Sequence, residues 1–278
     1  MNSSNLATTD PVNIGHRGAV TESTEIPMQG THQPILVTQN LTMKFGAFVA
    51  LNNVSATFEQ NKLTAIIGPN GAGKSTFFNL VSGAFPPTQG RIRFQGNDIT
   101  GMAQHQFARI GIAKSFQITN VFKLLSAHEN VRVAAQMRST RFELLRPRAD
   151  LKDLIDKADA LLQRVGLNGL RDKRAGDLAH GQQRCLEIAM ALACEPRLLL
   201  LDEPTAGMSP EETLAMMDLI TSLAEERTVI LVEHKMKLVM GICQHLLVLH
   251  HGEVLAEGTP DDIRTNDEVK RVYLGQSI

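Results

Sequence analysis

Nowhere does the chain carry an apolar run of about 18 residues, the length a membrane-crossing helix needs, so no spanning helix is expected. Charge of one sign is also missing. Lys and Arg number 28 and Asp and Glu 29, a formal net charge of −1, and no global basic field points to nucleic acid. Cysteine is scarce: Cys185, Cys194 and Cys243 lie far apart with no C-x-x-C spacing. That argues against a disulfide framework or a zinc site, is consistent with a reducing compartment, and makes each a small buried hydrophobe. The N-terminal stretch lacks the basic n-region and apolar h-region of a secretory signal. It is polar and rich in Ser, Thr, Asn and Gly, and residues 1–33 are expected to form a disordered tail.

What is present is a core-forming chain with a phosphate site. Hydrophobic residues make up 43% of 278, enough for one large domain or two small ones. Gly68-Pro69-Asn70-Gly71-Ala72-Gly73-Lys74-Ser75-Thr76 follows the apolar run Leu63–Ile67 and fits G-x-x-x-x-G-K-[S/T]. A polyphosphate needs several backbone N–H groups aimed at one spot, and glycines let the backbone come that close. The helix expected after the loop, carrying Phe77, Phe78, Leu80 and Val81, adds the positive end of its dipole. Lys74 can reach the β- and γ-phosphates, and Ser75 can place its hydroxyl on Mg²⁺.

Short strands are expected at Ile35–Val37, Phe48–Leu51, Val54–Phe58, Leu63–Ile67 and Arg91–Phe94, divided by Asn and Gly turns. From about Ile118 to Leu178 the pattern is helical, with Leu151, Leu154, Ile155, Ala158, Leu161, Leu162 and Val165 at helical spacing and Gly166 closing the run. Leu198–Leu201, Thr228–Val232 and Leu246–Leu249 are continuous apolar runs suited to parallel strands buried on both faces, and Gly252 marks a hairpin to Val254–Ala256. Strands alternating with helices imply an α/β fold, a mostly parallel sheet with helices on both faces. Ser209 as N-cap, Pro210 at N1 and Glu212 at N3 spell a capping box for the helix through Leu214, Met217, Ile220 and Leu223.

Other polar residues acquire meaning beside the phosphate loop. Asp202 and Glu203 end a buried strand, where one carboxylate can face Mg²⁺ and the next can orient or deprotonate water. His234 ends the run Val229–Val232 and is placed to sense a γ-phosphate. Gln117 offers an amide that can bind Mg²⁺ or the attacking water, although by itself it carries no signal.

Together these pieces resemble the ATP-binding subunit of an ABC transporter, over roughly residues 34–278. Gly68–Thr76 resembles Walker A, Gln117 the Q-loop, Leu198–Glu203 Walker B with its catalytic glutamate, and His234 the switch histidine. Leu178-Ala179-His180-Gly181-Gln182 stands where the family carries its L-S-G-G-Q signature. Ala179 replaces the signature serine, removing one γ-phosphate hydrogen bond, and His180 replaces the first glycine. Ser209 stands at the usual aspartate of the D-loop, and Phe45 at the A-loop position, where it can stack on adenine without a tyrosine hydroxyl. The resemblance implies a phosphate-loop NTPase (RecA-like) core, an N-terminal antiparallel β region, and an inserted helical subdomain at about 118–177.

The signature variant, the D-E-P-T-A-G-x-x-P stretch and the terminal Tyr273–Gly275 resemble the branched-chain amino acid importer group, whose relatives also import urea, amides or aromatic acids. The resemblance implies ATP and Mg²⁺ as cofactors. Its implied partners are a second ATPase subunit in a heterodimer, membrane permease subunits docking near Gln117–Leu125, and, indirectly, a solute-binding protein. It places the chain peripherally on the cytoplasmic face of the plasma membrane. A nucleic-acid or ribosomal ABC ATPase would carry a long coiled coil or tandem units, and neither occurs. A regulatory subunit with weak hydrolysis is the other alternative, favoured by Ala179, His180 and Ser209 and opposed by intact Lys74, Asp202, Glu203 and His234.

Overall fold

A computed structural model describes residues 34–115, 121–136 and 152–273. The expected tail over 1–33 and Gln117 lie outside the described residues, as does part of the helical region expected at 118–177.

Two sheets organise the chain. Strands β1 (Pro34–Phe45) and β2 (Phe48–Glu59) pair antiparallel, β3 (Leu63–Ile67) leaves for the second sheet, and β4 (Gln89–Phe94) and β5 (Asn97–Asp98) complete the first in the order β2-β1-β4-β5. The second sheet gathers β6 (Ile112–Lys114), β7 (Leu198–Asp202), β8 (Thr228–Val232) and β9 (His245–His250) around β3 in parallel. The antiparallel β10 (Glu253–Gly258) closes one edge, giving β10-β9-β3-β8-β7-β6.

Every residue of β3, β7 and β8 is buried, which is why their sequences are apolar apart from Thr64, Asp202 and Thr228. Strand alternation divides these side chains between two cores. Leu63, Ala65, Leu199, Leu201, Val229 and Leu231 pack on the side of the long helices. Ile66, Leu198, Leu200, Ile230 and Val232 face the other way, against the first sheet and Phe77 and Phe78.

Helices α1 (Lys74–Val81) and α2 (Phe107–Ile110) precede the inserted region. The described residues of the stretch expected to be helical, about 118–177, contain α3 (Ala127–Gln136) and α4 (Lys152–Arg164), and α5 (His180–Ala193) follows it. The helical spacing from Leu154 to Leu162 falls within α4, Leu151 lies outside the described residues, and Gly166, at φ +75°, turns the chain just after the helix. Helix α6 (Pro210–Ala224) begins with the expected capping box: Ser209 Oγ accepts from the Glu212 N–H (3.2 Å), and Glu212 Oε2 accepts from the Ser209 N–H (3.0 Å). Helices α7 (Met236–Ile242), α8 (Pro260–Thr265) and α9 (Asp267–Tyr273) follow.

The first sheet departs from expectation. The segment expected at Ile35–Val37 extends to Phe45, and the two segments expected at Phe48–Leu51 and Val54–Phe58 are one strand. The Asn pair that suggested a turn is an irregularity within it. Asn53 takes φ +54° and donates its N–H to Thr42 Oγ1, so the ladder slips and resumes instead of ending. Strand β6 was not expected, because three residues are too few to show alternation.

Candidate nucleotide site

The parallel register brings the predicted motifs to one edge. Ile66 pairs with Val232, and Asp202 pairs with Val232 from the other side. The loop after β3, the Asp202–Glu203 pair and the Glu233–His234 pair therefore emerge together at the carboxyl ends of adjacent strands, where open α/β sheets bind ligands.

Within the loop, close approach fixes the glycines. A Cβ on Gly68 would lie 2.3 Å from the Leu249 carbonyl oxygen. Gly73 sits at φ +99°, and a Cβ there would lie 2.8 Å from the Ala50 carbonyl oxygen. The β9–β10 turn supports the loop from behind, with the Gly252 N–H bonded to the Ala72 carbonyl at 3.0 Å. Lys74 is buried at the start of α1, and its Nζ donates to the carbonyls of Gly68 (2.7 Å) and Pro69 (3.0 Å). Its ammonium thus lies over the loop it must neutralise against. Burial lowers the Lys74 pKa, while Glu203 and Asp202 pull it back up. Asn70, Gly71 and Ser75 are exposed, and Pro69 and Thr76 are half-buried around them.

Opposite the loop is a concentration of carboxylates. Asp202 is buried at the end of β7. Burial pushes its carboxyl above the usual carboxylate range; Lys114 and Arg184 oppose this, and Glu203 and Glu233 reinforce it. Glu203 takes φ +45°, a left-handed conformation that costs of order 1 kcal/mol or more in a residue with a side chain, and its N–H bonds to the Val232 carbonyl at 3.0 Å. This turn aims the carboxylate toward the next strand, where His234 Nδ1 lies 3.9 Å from Glu203 Oε1. The imidazole is 52% exposed, so one of its faces is open to a ligand.

The site residues fit a hard divalent cation. Asp202 is a dehydrated carboxylate with further negative charge behind it, and Ser75 offers an exposed hydroxyl, so both donors are oxygen. Among the described residues no group of three or more His, Cys, Asp and Glu side chains is arranged to hold a metal alone.

The signature segment lies at the start of α5. Leu178 is buried, Ala179 is the N-cap, and His180 is the first helical residue. Gln182 Oε1 accepts from the Ala179 N–H (3.0 Å), which is the return half of a capping box; alanine has no side-chain oxygen for the other half. The outermost N–H groups of the helix are thereby left free of a side-chain acceptor. Gly181 packs on α6, and a Cβ there would meet Glu212 Oε1 at 2.7 Å.

Phe45 is 49% exposed at the end of β1 and packs edge-on against Phe85, with ring centroids 5.9 Å apart. Below the helical region, Phe122, Leu124 and Leu125 are exposed, Leu124 at 84%, beside a half-buried Val121. Asn130, fully buried on α3, fixes this turn: its Oδ1 accepts from the Phe122 N–H (2.7 Å) and its Nδ2 donates to the Phe122 (3.1 Å) and Ser126 (2.9 Å) carbonyls.

Three side chains of this region escaped the sequence reading. Lys114 faces Asp202 from β6 and donates to Asn79 Oδ1 at 2.8 Å. Asn130 lies in an otherwise ordinary helical pattern. Glu233 could have been found, since a charged residue directly behind a buried strand must have a partner.

Residues 51–206 match the family model described as ABC transporter, and residues 253–277 match that described as Branched-chain amino acid ATP-binding cassette transporter. The chain is 42% identical over 253 residues to the high-affinity branched-chain amino acid transport ATP-binding protein BraF of Pseudomonas aeruginosa, covering 88% of this chain and 99% of the relative. It is 40% identical, with the same coverage, to LivG of Escherichia coli (strain K12), a protein of the same description. Among solved structures, the ADP conformation of an ATP-binding cassette of an ABC transporter matches with a TM-score of 0.77 and 28% identity, over 88% of this chain and 100% of that one.

Proposed function

Because the chain belongs to the ABC transporter family and is one of its nucleotide-binding ATPases, we propose that it powers an importer of branched-chain amino acids or related small polar solutes such as urea and amides. The observation that carries this reading is the match of residues 253–277 to the branched-chain group.

In this reading the backbone of Gly68–Thr76 cradles the polyphosphate of ATP, and Lys74 swings from the Gly68 and Pro69 carbonyls onto the β- and γ-phosphates. Phe45 stacks on the adenine. Asp202, Ser75 and Gln117 are the residues that would hold Mg²⁺, which supplies charge neutralisation at the phosphates. Glu203 orients and deprotonates the attacking water, and His234, beside it, contacts the γ-phosphate. The open N-terminus of α5, with Leu178, Ala179, His180, Gly181 and Gln182, serves the ATP of a second ATPase subunit. Hydrolysis therefore waits on association, and ATP binding closes a dimer that hydrolysis reopens.

The second subunit is a different chain in this group, giving a heterodimer. The knuckle formed by Val121, Phe122, Leu124 and Leu125 docks the permease subunits, which receive solute from a binding protein. The chain then sits on the cytoplasmic face of the plasma membrane as a peripheral subunit. None of its described helices is long and apolar enough to cross a membrane.

The test is to purify the chain with its native membrane partners and screen solutes for stimulation of ATP hydrolysis, amino acids, urea and amides first. Stimulation by one of these supports the reading, and a complex indifferent to all of them overturns the solute class.

A further inference from the structure

We propose that Glu233 is a positioning residue that couples the switch histidine to the turn carrying the catalytic glutamate. The proposal rests on the roles given above to Glu203 and His234.

Glu233 is 0% exposed, at the point where β8 ends. Both of its carboxylate oxygens are engaged, and in opposite directions. Oε1 accepts from the Thr205 hydroxyl (2.6 Å) and from the Thr205 N–H (3.2 Å), both on the turn that follows Glu203. Oε2 accepts from the His234 N–H (3.3 Å) and lies 3.9 Å from His234 Nδ1. Thr205 is itself fully buried, and its carbonyl accepts from Lys235 Nζ at 3.3 Å. Residues 233 and 235 therefore grip the N–H, hydroxyl and carbonyl of one threonine, with His234 between them. The ladder adds a further tie on the same side, from the Glu203 N–H to the Val232 carbonyl.

A buried carboxylate with a bond to each of two segments is costly to dehydrate and costly to leave half-paired. Its geometric consequence is that Glu203 and His234 cannot move independently. A displacement of the His234 loop, of the kind a γ-phosphate would cause, is passed through Glu233 to Thr205 and so to the Glu203 turn. Packing alone would fill the space behind β8 with an apolar residue; the pair of opposed bonds is what an apolar residue could not supply.

Glu233→Gln conserves shape but offers only one accepting oxygen, so either the Thr205 N–H or the His234 N–H loses its acceptor. Thr205→Val removes the hydroxyl donor at nearly constant volume, and Thr205→Ser restores it. ATP hydrolysis by the full chain in its assembled complex is measured against MgATP concentration, with nucleotide affinity and melting temperature taken on the same samples. Expected are a loss of about tenfold or more in kcat for E233Q, KM and nucleotide affinity within about twofold, a smaller loss of the same kind for T205V, and recovery in T205S. The E233Q/T205V double variant should be no slower than E233Q, because both act through one connection. An unchanged kcat in folded E233Q, or multiplicative losses in the double variant, overturns the proposal. Should E233Q not fold, T205V against T205S decides: an unchanged kcat in T205V overturns it, and a loss recovered by T205S supports it. Glu203→Gln is measured alongside; if that variant keeps its turnover, the assignment of Glu203 has failed and not the coupling alone.

Discussion

His180 Nε2 lies 3.2 Å from the carbonyl oxygen of Ala206, joining the first turn of the signature helix to the turn after Glu203 within one chain. A carbonyl can only accept, so the bond requires the tautomer with its proton on Nε2. The family's usual glycine at this position has no side chain to make it. The imidazole ties the N-terminus of α5 to the turn that follows Glu203, two segments that the proposed function assigns to different ATP molecules. A neutral hydrogen bond is worth about 1 kcal/mol, roughly fivefold in a rate or equilibrium. His180→Ala is expected to slow turnover of the assembled complex several-fold while nucleotide affinity of the isolated chain is unchanged. Steady-state hydrolysis and nucleotide titration check this, and an unaltered rate would show the bond to be incidental.

Glu203→Gln and Lys74→Ala separate binding from chemistry. The glutamine keeps the size of Glu203 but cannot take a proton, so turnover should fall by about 10²-fold or more with ATP still bound and the dimer held closed. Lys74→Ala removes the cation that reaches the phosphates and should weaken nucleotide binding instead. Gel filtration with MgATP and nucleotide titration distinguish the two outcomes. Tight ATP binding by the alanine variant contradicts the role given to the loop.

Asp202 should cost stability in return for function. Burial raises its carboxyl pKa in the folded chain, so between the unfolded and folded values the unfolded state is the first to release the proton. Stability from this group is thus fullest at acidic pH and falls as pH rises through that window. At neutral pH and without nucleotide, Asp202→Asn is expected to raise the melting temperature, because the amide is not penalised by burial as the carboxylate is. The same variant should lose Mg²⁺-dependent hydrolysis, and the gain in melting temperature should shrink as pH is lowered. A lower melting temperature at neutral pH would mean that the attraction of Lys114 and Arg184 outweighs dehydration.

What the sequence made legible was chemistry packed into short runs. The pattern of Gly68–Thr76 points to a polyphosphate, because backbone N–H groups, a lysine and a hydroxyl must sit at fixed spacing to meet one, and the structure folds it as the loop between β3 and α1. The apolar runs of β3, β7 and β8 were equally plain, since double-sided burial leaves little room for polar residues, and the few present sit near the strand ends. The irregular β1–β2 ladder was not, because Asn53 at φ +54° reads locally as a turn and becomes a slipped strand only through its bond to Thr42. Asn130 was hidden for a related reason, since it matters for the turn it holds rather than for the helix it sits in. Glu233 was legible as a charge in need of a partner, but the partner itself, 28 residues away, was not. Gln117 lies outside the described residues, so its expected role stays a proposal.

Leu124 offers the clearest separation of folding from assembly. It is 84% exposed, at the tip of a turn whose backbone is held by Asn130 and by the bond from the Leu125 N–H to the Phe122 carbonyl (3.0 Å). Neither tie involves the Leu124 side chain. Leu124→Asp should therefore melt within a degree or two of the parent and bind ATP equally well. An apolar knuckle seated on a permease loses at least about 2 kcal/mol when its centre is made anionic, roughly a thirtyfold weakening. Co-purification with the membrane subunits should fail or fall sharply, and solute-stimulated hydrolysis with it. Asn130→Ala is the complementary variant: it leaves the apolar side chains in place but frees the turn that presents them, and should weaken assembly while also lowering the melting temperature. If Leu124→Asp assembles and responds to solute normally, the permease docks elsewhere on the chain.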